Sequence, residues 1–448
     1  MKAGDTVEVA GEDLAYGGDT VARLADGFVV FVPGLAPGDR ARVRIDRVWA
    51  NRARGRAVEL LTPGPDRTPA PCPVFGDCGG CQWQQVGLAA QRAAKERIVR
   101  RVLEPLGAAD RLAPIRGGAG YAYRNRLILP LRGRKGGGLS AGFYRAFTHD
   151  IVAVDRCAVQ QEALWDAAAG TVALLREAGL PGYDEQEDAG LLRHLLVRVA
   201  AGTGETGVVI VTTGGEAPGL ADLARALMTR QPAVTGVARN VNPGRTNVIL
   251  GARTEMLAGV PAVTERIGGL DFRAPLDSFF QANPEVTGLL VEALRGWCAG
   301  ETGGILDLFC GVGVLGLGAA PAPAWIIGVE EGEEAVAAAR ENAAALLPDV
   351  RTRFEAGTVE AVLPRLVREL EALGTVIMDP PRKGLSPEAL RAVAALPAPR
   401  LVYVSCDPAT FARDARGLLA AGWRLAEVVP FDMFPQTYHI ELAARFER

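Results

Sequence analysis

Along the first 60 residues apolar and polar positions alternate with a period of two. TVEVA, GFVVFVPG and ARVRIDRV each present one apolar face, and Gly- and Asp-containing turns separate them. Short strands of this kind with a basic rim predict a small RNA-binding β-barrel over residues 1–61. Four prolines in the ten residues Thr62–Pro71 then read as a linker, because proline removes backbone donors and disfavours helix before it. Leu88–Leu106 has the pattern of an amphipathic helix with a basic face. Between residues 120 and 280 the strand-like runs RLILPL, GVVIVTTGG and NVILG alternate with an Ala/Leu-rich helix around 219–229. With the cysteine loop before it, this predicts an α+β region over 72–280. From about residue 300 the pattern is regular: ILDLF, WIIGVE, TVIMDPP and LVYVSCDP are short apolar strands, with helical segments such as GEEAVAAARENAAALL between them. Strands alternating with helices predict a parallel sheet covered on both faces, an α/β domain over 281–448.

A chain of 448 residues suits a multidomain protein, and 49% hydrophobic residues exclude global disorder. The N-terminus MKAGDTVEVAGEDLAYGG has no apolar signal segment, and no apolar run approaches the roughly 18 residues of a membrane span. A cytoplasmic protein, with no membrane partner and monomeric, is the expectation. The net charge is −3, but between Arg40 and Arg56 seven arginines face one aspartate, a local charge of +6. A second basic region spans Arg92 to Lys135. On charge alone, phosphate binding and an ordinary solvated face are equally good readings.

The run Ile305–Val314 reads as a strand, a Gly-rich turn and a helix. Gly311 and Gly313 let a ligand approach the backbone at the strand's carboxyl end. Seventeen residues past Gly313 the next strand ends at Glu330, where an acid can accept both hydroxyls of a ribose. The loop lacks a full GxGxxG and no Walker lysine follows, so NAD and ATP fit poorly. The order D-x-F-x-G-x-G resembles the S-adenosylmethionine loop of Rossmann-like methyltransferases. Asp379-Pro-Pro-Arg-Lys-Gly, at the end of the fourth strand, resembles the DPP/NPP motif of enzymes that methylate planar rings.

Ser405-Cys406-Asp-Pro closes the fifth strand at the same sheet edge. C5 of uracil attacks a methyl sulfonium poorly until a thiolate adds at C6 and places electron density on C5. A base must then remove the C5 proton so that the thiolate can leave, so the chemistry needs both groups together. Cys406 has the position for such a nucleophile, whereas Cys310 and Cys298 read as packed side chains. Glu441 in Thr437-Tyr-His-Ile-Glu441 is the candidate base, although on spacing alone a Glu at such a place is more often a surface residue than a catalytic one.

LDLFCGVG, IMDPPRKG, YVSCDPATFARD, FFQANPE and QTYHIE together resemble the RNA uracil-C5 methyltransferases over nearly the whole chain. The resemblance implies Cys406 as nucleophile and Glu441 as base. It implies Gln281, Phe309, Gly311, Gly313, Glu330 and Asp379 at S-adenosylmethionine, with Phe279 against the target base. Two positions depart from the family pattern: Val314 stands where many relatives are polar, and Thr358 where an acid often meets the adenine amino group.

Seven cysteines without a secretion signal argue against a disulfide framework. Cys72, Cys78, Cys81 and the distant Cys157 offer four thiolates, suited to zinc or an iron–sulfur cluster. Three ligands from one loop and one from afar suit a cubane, and the spacing matches the [4Fe–4S] motif of one branch of the family. Residues 1–61 resemble the TRAM module. Barrel and cluster in one chain look most like the enzymes that act on 23S ribosomal RNA; transfer RNA is the alternative substrate. A cytosine-C5 RNA methyltransferase lacks the HIE-type ending, an amino-group methylase does not need Cys406, and an RNA-binding scaffold leaves the cofactor loop unexplained.

Overall fold

The computed structural model describes residues 1–133, 138–300, 302–319 and 322–448. Arg134 and Lys135 of the second basic region lie outside the described residues. Strands β1 (Thr6–Leu14), β2 (Thr20–Arg23), β3 (Val29–Val32), β4 (Arg40–Val48) and β5 (Arg52–Thr62) close into a barrel in the order β1-β2-β3-β5-β4. In β4 the alternation seen in the sequence becomes a two-sided strand: Ala41, Val43 and Ile45 fill the barrel while Arg40, Arg42 and Arg44 face outward. Several of those arginines meet acids. Arg40 and Arg42 pair with Glu8, Arg42 with Glu59, Arg54 with Asp19, and Arg56 with Asp46. Arg47 and Arg52 instead lie over the Trp49 ring, at 4.8 and 5.2 Å from its centre.

Helix α1 (Leu88–Leu103) buries Ala94, Ile98, Val99 and Leu103 in the core of the C-terminal sheet, although a central region follows it in sequence. In the central region β6 (Arg126–Gly133), β7 (Leu139–Ala141), β10 (Leu192–Val199), β11 (Thr206–Thr212), β12 (Val234–Val241) and β13 (Arg253–Gly259) form one mixed sheet in the order β13-β12-β11-β10-β6-β7. A small hairpin, β8 (Phe143–Tyr144) with β9 (Ile151–Val152), lies beside it. Every residue of β10 is buried, because helices α2 (Glu162–Glu177) and α3 (Leu220–Arg230) cover one face of the sheet and the C-terminal unit covers the other. The run NVILG, expected as a strand, is a loop. Asn242 Nδ2 takes the carbonyls of Val248 and Ile249, at 2.7 and 2.9 Å, that a ladder would have used, and Val248 faces solvent.

The hairpin β14 (Ala262–Ile267) and β15 (Leu270–Pro275) turns through Gly268 and Gly269, both at positive φ. Its core residues Val263, Phe272 and Ala274 pack with helix α4 (Pro284–Trp297), so packing crosses the sequence boundary at residue 280. The C-terminal sheet has the order β18-β17-β16-β19-β20-β22-β21. Its parallel strands are β16 (Gly304–Leu308), β17 (Trp325–Glu330), β18 (Arg351–Ala356), β19 (Leu373–Met378) and β20 (Arg400–Ser405). At one side β22 (Glu441–Glu447) inserts antiparallel between β20 and β21 (Arg424–Phe431). Helices α5 (Val314–Ala319), α6 (Glu333–Leu346), α7 (Val359–Leu366), α8 (Pro387–Ala394) and α9 (Pro408–Ala420) connect them. No helix among the described residues is long and apolar enough to cross a membrane.

Candidate active site

The Gly-rich turn, Glu330, Asp379 and Cys406 lie at the carboxyl ends of parallel strands, where an open α/β sheet binds ligands. Past β16 the chain turns through Phe309 at φ +61°, Gly311 at +53° and Gly313 at +89°. A bulky residue in the left-handed region is a strained one, and such strain collects at functional turns. Open space surrounds the missing Cβ of Gly311. Glu330, at the end of β17, holds this turn: its two carboxylate oxygens accept from Gly311 N at 3.1 Å and from Gly332 N at 3.0 Å. A carboxylate has about four acceptor sites, so hydroxyl donors can still be received. Val314 is buried at the start of α5, and Thr358 caps α7 by accepting from Ala361 N, so both departures from the family pattern serve local structure.

Asp379 leaves β19 and accepts a long hydrogen bond, 3.4 Å, from Gln281 Nε2. Two residues before Gln281, Phe279 is 68% exposed, free to meet a flat ligand. Antiparallel pairing of β20 with β22 matches Ser405 to Leu442, and the next step of that register sets Cys406 against Glu441. The nucleophile and base expected from the sequence are therefore neighbours across one strand pair.

The site is crowded with buried carboxyl groups. Burial lifts Asp307 to about 8, with Asp379 and Glu330 adding to the shift against a restraining bond from Gly316 N. Asp379 and Glu441 are both held well above the carboxylate range, first by burial and then by neighbouring negative charge. Asp307 Oδ1 and Glu441 Oε1 are buried without a hydrogen-bond partner. Burial pushes the Cys406 thiol up to about 11; Glu441 and Asp379 push the same way, while Arg382 pulls it down by charge and by a side-chain hydrogen bond.

Arg382 received no role from the sequence, although it stands inside the quoted Asp379-Pro-Pro-Arg run. It donates to His439 Nδ1 at 3.2 Å, and burial and nearby cations keep that imidazole neutral, its pKa lowered to about 4. The loop after Arg382 is tied down by the buried Asp414, which accepts from Leu385 N and Tyr403 OH, each at 2.8 Å. Tyr16, from the barrel, had no signal in the sequence. Its hydroxyl donates to Asp407 Oδ2 at 3.0 Å, beside Cys406, and its ring meets Tyr438 edge-on at 5.4 Å.

The second cysteine group lies elsewhere. Cys72, Cys78, Cys81 and Cys157 line one cavity of about 90 Å³ together with Val74, Phe75, Phe143, Val154 and Val159. All four are free thiols. Burial lifts Cys81 to about 12 and also raises Cys78 and Cys157. No group of His, Cys, Asp or Glu among the described residues converges as ligands of a single metal ion. Cys310 and Cys298 are buried packing residues.

The family model for tRNA (Uracil-5-)-methyltransferase matches residues 252–448, and the TRAM domain matches residues 2–58. A protein of Halalkalibacterium halodurans described as an uncharacterized RNA methyltransferase is 38% identical over 448 residues, covering 99% of this chain and 97% of the relative. One of Gloeobacter violaceus with the same description is 39% identical over 451 residues, covering 99% and 97%. Among solved structures, the Pyrococcus abyssi tRNA (uracil-54, C5)-methyltransferase in complex with S-adenosyl-L-homocysteine is similar, with a TM-score of 0.75 at 27% identity. That match covers 98% of this chain and 100% of the other. The chain belongs to the S-adenosylmethionine-dependent RNA uracil-C5 methyltransferase family, in the form that carries an N-terminal TRAM domain.

Proposed function

We propose that the protein methylates C5 of one uridine in RNA, with 23S ribosomal RNA as substrate, Cys406 as nucleophile and Glu441 as base. The observation that carries this reading is the Glu441 carboxyl acting by charge on the Cys406 thiol, one residue beyond the paired Ser405 and Leu442 of β20 and β22. S-adenosylmethionine, when bound, supplies an electrophilic methyl group on a positively charged sulfur. The residues present suit that ligand: buried carboxyl groups with unpartnered oxygens favour a cation, and Glu330 and Gly311 suit a ribose beside an open turn. Gln281, Phe309, Gly313 and Asp379 complete the proposed cofactor site, and Phe279 faces the base.

The Cys406 thiolate adds to C6 of the uracil, and the electron pair moves to C5 and O4. C5 would take the methyl group as its bond to the sulfonium sulfur breaks, the bonding pair staying on sulfur in the departing S-adenosylhomocysteine. Glu441 then removes the C5 proton, and the returning electron pair expels the Cys406 sulfur from C6. Arg382 stabilises the thiolate before attack.

Four thiols around one apolar cavity suit a group that takes four thiolates, and we propose that Cys72, Cys78, Cys81 and Cys157 hold a [4Fe–4S] cluster. When bound, it would tie the loop 72–81 to the segment that carries Cys157. Anaerobically purified protein should be brown, with about four irons per chain. Colourless protein carrying one zinc would overturn this.

Transfer RNA is the second reading, favoured by the similarity to the Pyrococcus abyssi tRNA (uracil-54, C5)-methyltransferase. Incubation with methyl-labelled cofactor and either ribosomal or transfer RNA transcripts, followed by mapping of the labelled base, separates the two. Label on a cytosine or on an exocyclic amine would overturn uridine C5 chemistry.

A further inference from the structure

The barrel carries a feature that phosphate binding does not explain. Arg52 and Arg54 lie two residues apart on the outer face of β5, with Ala53 buried between them. Such positions are about 7 Å apart along a strand. Arg52 lies over the Trp49 ring at 5.2 Å, with Arg47 over the same ring at 4.8 Å. Arg54 lies 6.0 Å from the centre of the Phe147 ring. Trp49, Arg52, Arg54 and Phe147 thus form one row, two arginines flanked by an aromatic ring at each end, running from the β4–β5 hairpin of the barrel to the β8–β9 hairpin of the central region.

Phe147 is the unusual member. It is 94% exposed, and its backbone sits at φ +61°. A large apolar side chain gains nothing from solvent, and the left-handed conformation adds strain that glycine or asparagine would avoid. Its hairpin is firmly held. Arg145 N donates to Asp150 O at 2.9 Å, and Gly79 N donates to Tyr144 O at 2.9 Å, which seats the hairpin on the cysteine loop. The row also ends near the chemistry. Asp19 grips Arg54 at 2.9 and 3.2 Å, and three residues earlier in the same β1–β2 turn Tyr16 hydrogen-bonds Asp407, beside Cys406.

We infer that this row is a stacking track for single-stranded RNA, in which Phe147 and Trp49 take unpaired bases flanking the target uridine. The inference rests on the RNA methyltransferase reading and names the form of RNA that the site takes. Aromatic faces flanking arginines suit an unpaired strand, because stacked bases of a duplex hide the faces these rings would meet. Asp19 and the Trp49 ring hold Arg54 and Arg52 along the row, placed for the backbone of a strand whose bases meet the rings.

The test uses the whole protein and a fluorescent twelve-residue oligouridine, alone or annealed to oligoadenosine. Phe147→Asn keeps a residue that tolerates positive φ, so its melting temperature should equal or exceed that of the parent. Its affinity for the single strand should fall about five- to one-hundred-fold, with the salt slope unchanged. Phe147→Trp should restore binding. Arg52→Gln should instead lower the salt slope by about 0.7. Equal binding of single strand by parent and Phe147→Asn, or an equal loss for the duplex, would overturn the inference. Transfer of labelled methyl to RNA by the parent protein is scored separately, so failure of the track and failure of the methyltransferase reading are distinguishable.

Discussion

The two cysteine sites start from one side chain and part company through their neighbours. At the sheet edge Cys406 faces Glu441 and Asp379, with Arg382 on its sulfur; charge surrounds it, and the thiol, though raised to about 11, has a base and a cation in reach. Around the 90 Å³ cavity the four thiols face Val74, Phe75, Phe143, Val154 and Val159. Cys81 is raised to about 12 mainly by burial. Gln84 and Arg124 offset that burial only in part, and a ligand that takes the thiolate directly would offset the rest. On the proposed reading, one environment suits a nucleophile that can come and go, and the other suits ligands.

The sharpest way to break this contrast is to swap consequences. Cys406→Ala should lower turnover by at least about 10³-fold while S-adenosylmethionine binding, measured by calorimetry, stays near that of the parent. Cys157→Ser should do the reverse: the colour is lost and thermal stability falls, while any folded fraction retains single-turnover chemistry. Substantial methylation by Cys406→Ala would end the covalent mechanism. Glu441→Gln comes next. Methyl transfer should proceed, but proton removal should slow by about 10²–10⁴-fold, so a protein–RNA adduct survives denaturing gels. Without an adduct and with unchanged turnover, another group is the base.

Asp307 offers a smaller effect with a definite sign. Its pKa is raised in the folded state to about 8 from 3.8, so its contribution favours folding most below pH 4 and is lost as pH rises towards 8. Asp307→Asn keeps an acceptor for Gly316 N and removes the titration. The melting temperature of the ligand-free parent should therefore decline from pH 4 to 8 more steeply than that of the variant. Parallel curves would mean that Asp307 ionises freely in the fold.

Much of the C-terminal half was legible because each parallel strand ends in residues with a distinctive job: the glycines after β16, Glu330, Asp379 and Cys406 all follow a short apolar run. Parallel βα units keep local pattern and tertiary position in step. The strand β22 was not legible, since Glu441 follows a long loop and Cys406 stands 35 residues earlier in the chain. Tyr16 escaped for the same reason, being 391 residues from Asp407. The barrel's charge was misjudged by counting locally. Seven arginines stand against one aspartate between residues 40 and 56, but Glu8, Asp19 and Glu59 arrive from other strands to pair with them.

Arg382 sharpens the comparison most finely, because it reaches the Cys406 sulfur by a side-chain hydrogen bond as well as by charge, whereas Arg124 at the cysteine cavity acts on Cys81 by charge alone. Its guanidinium lowers the Cys406 thiol against burial and two carboxylates, so Arg382→Gln should move that thiol further from neutrality. For each unit of further rise, the thiolate fraction at pH 7 falls tenfold, and single-turnover methylation should fall with it. Raising the pH should recover the loss, since the reactive form is then reached in both proteins. Arg382→Lys retains the charge but cannot present a fork to both the sulfur and His439 Nδ1, so an intermediate rate is expected. Because Arg382 is exposed and the loop is held by Asp414, the melting temperature should stay close to that of the parent. If the deficit of Arg382→Gln is the same at pH 7 and pH 9.5, the residue acts on the bound uridine rather than on the thiol, and the electrostatic account of Cys406 fails.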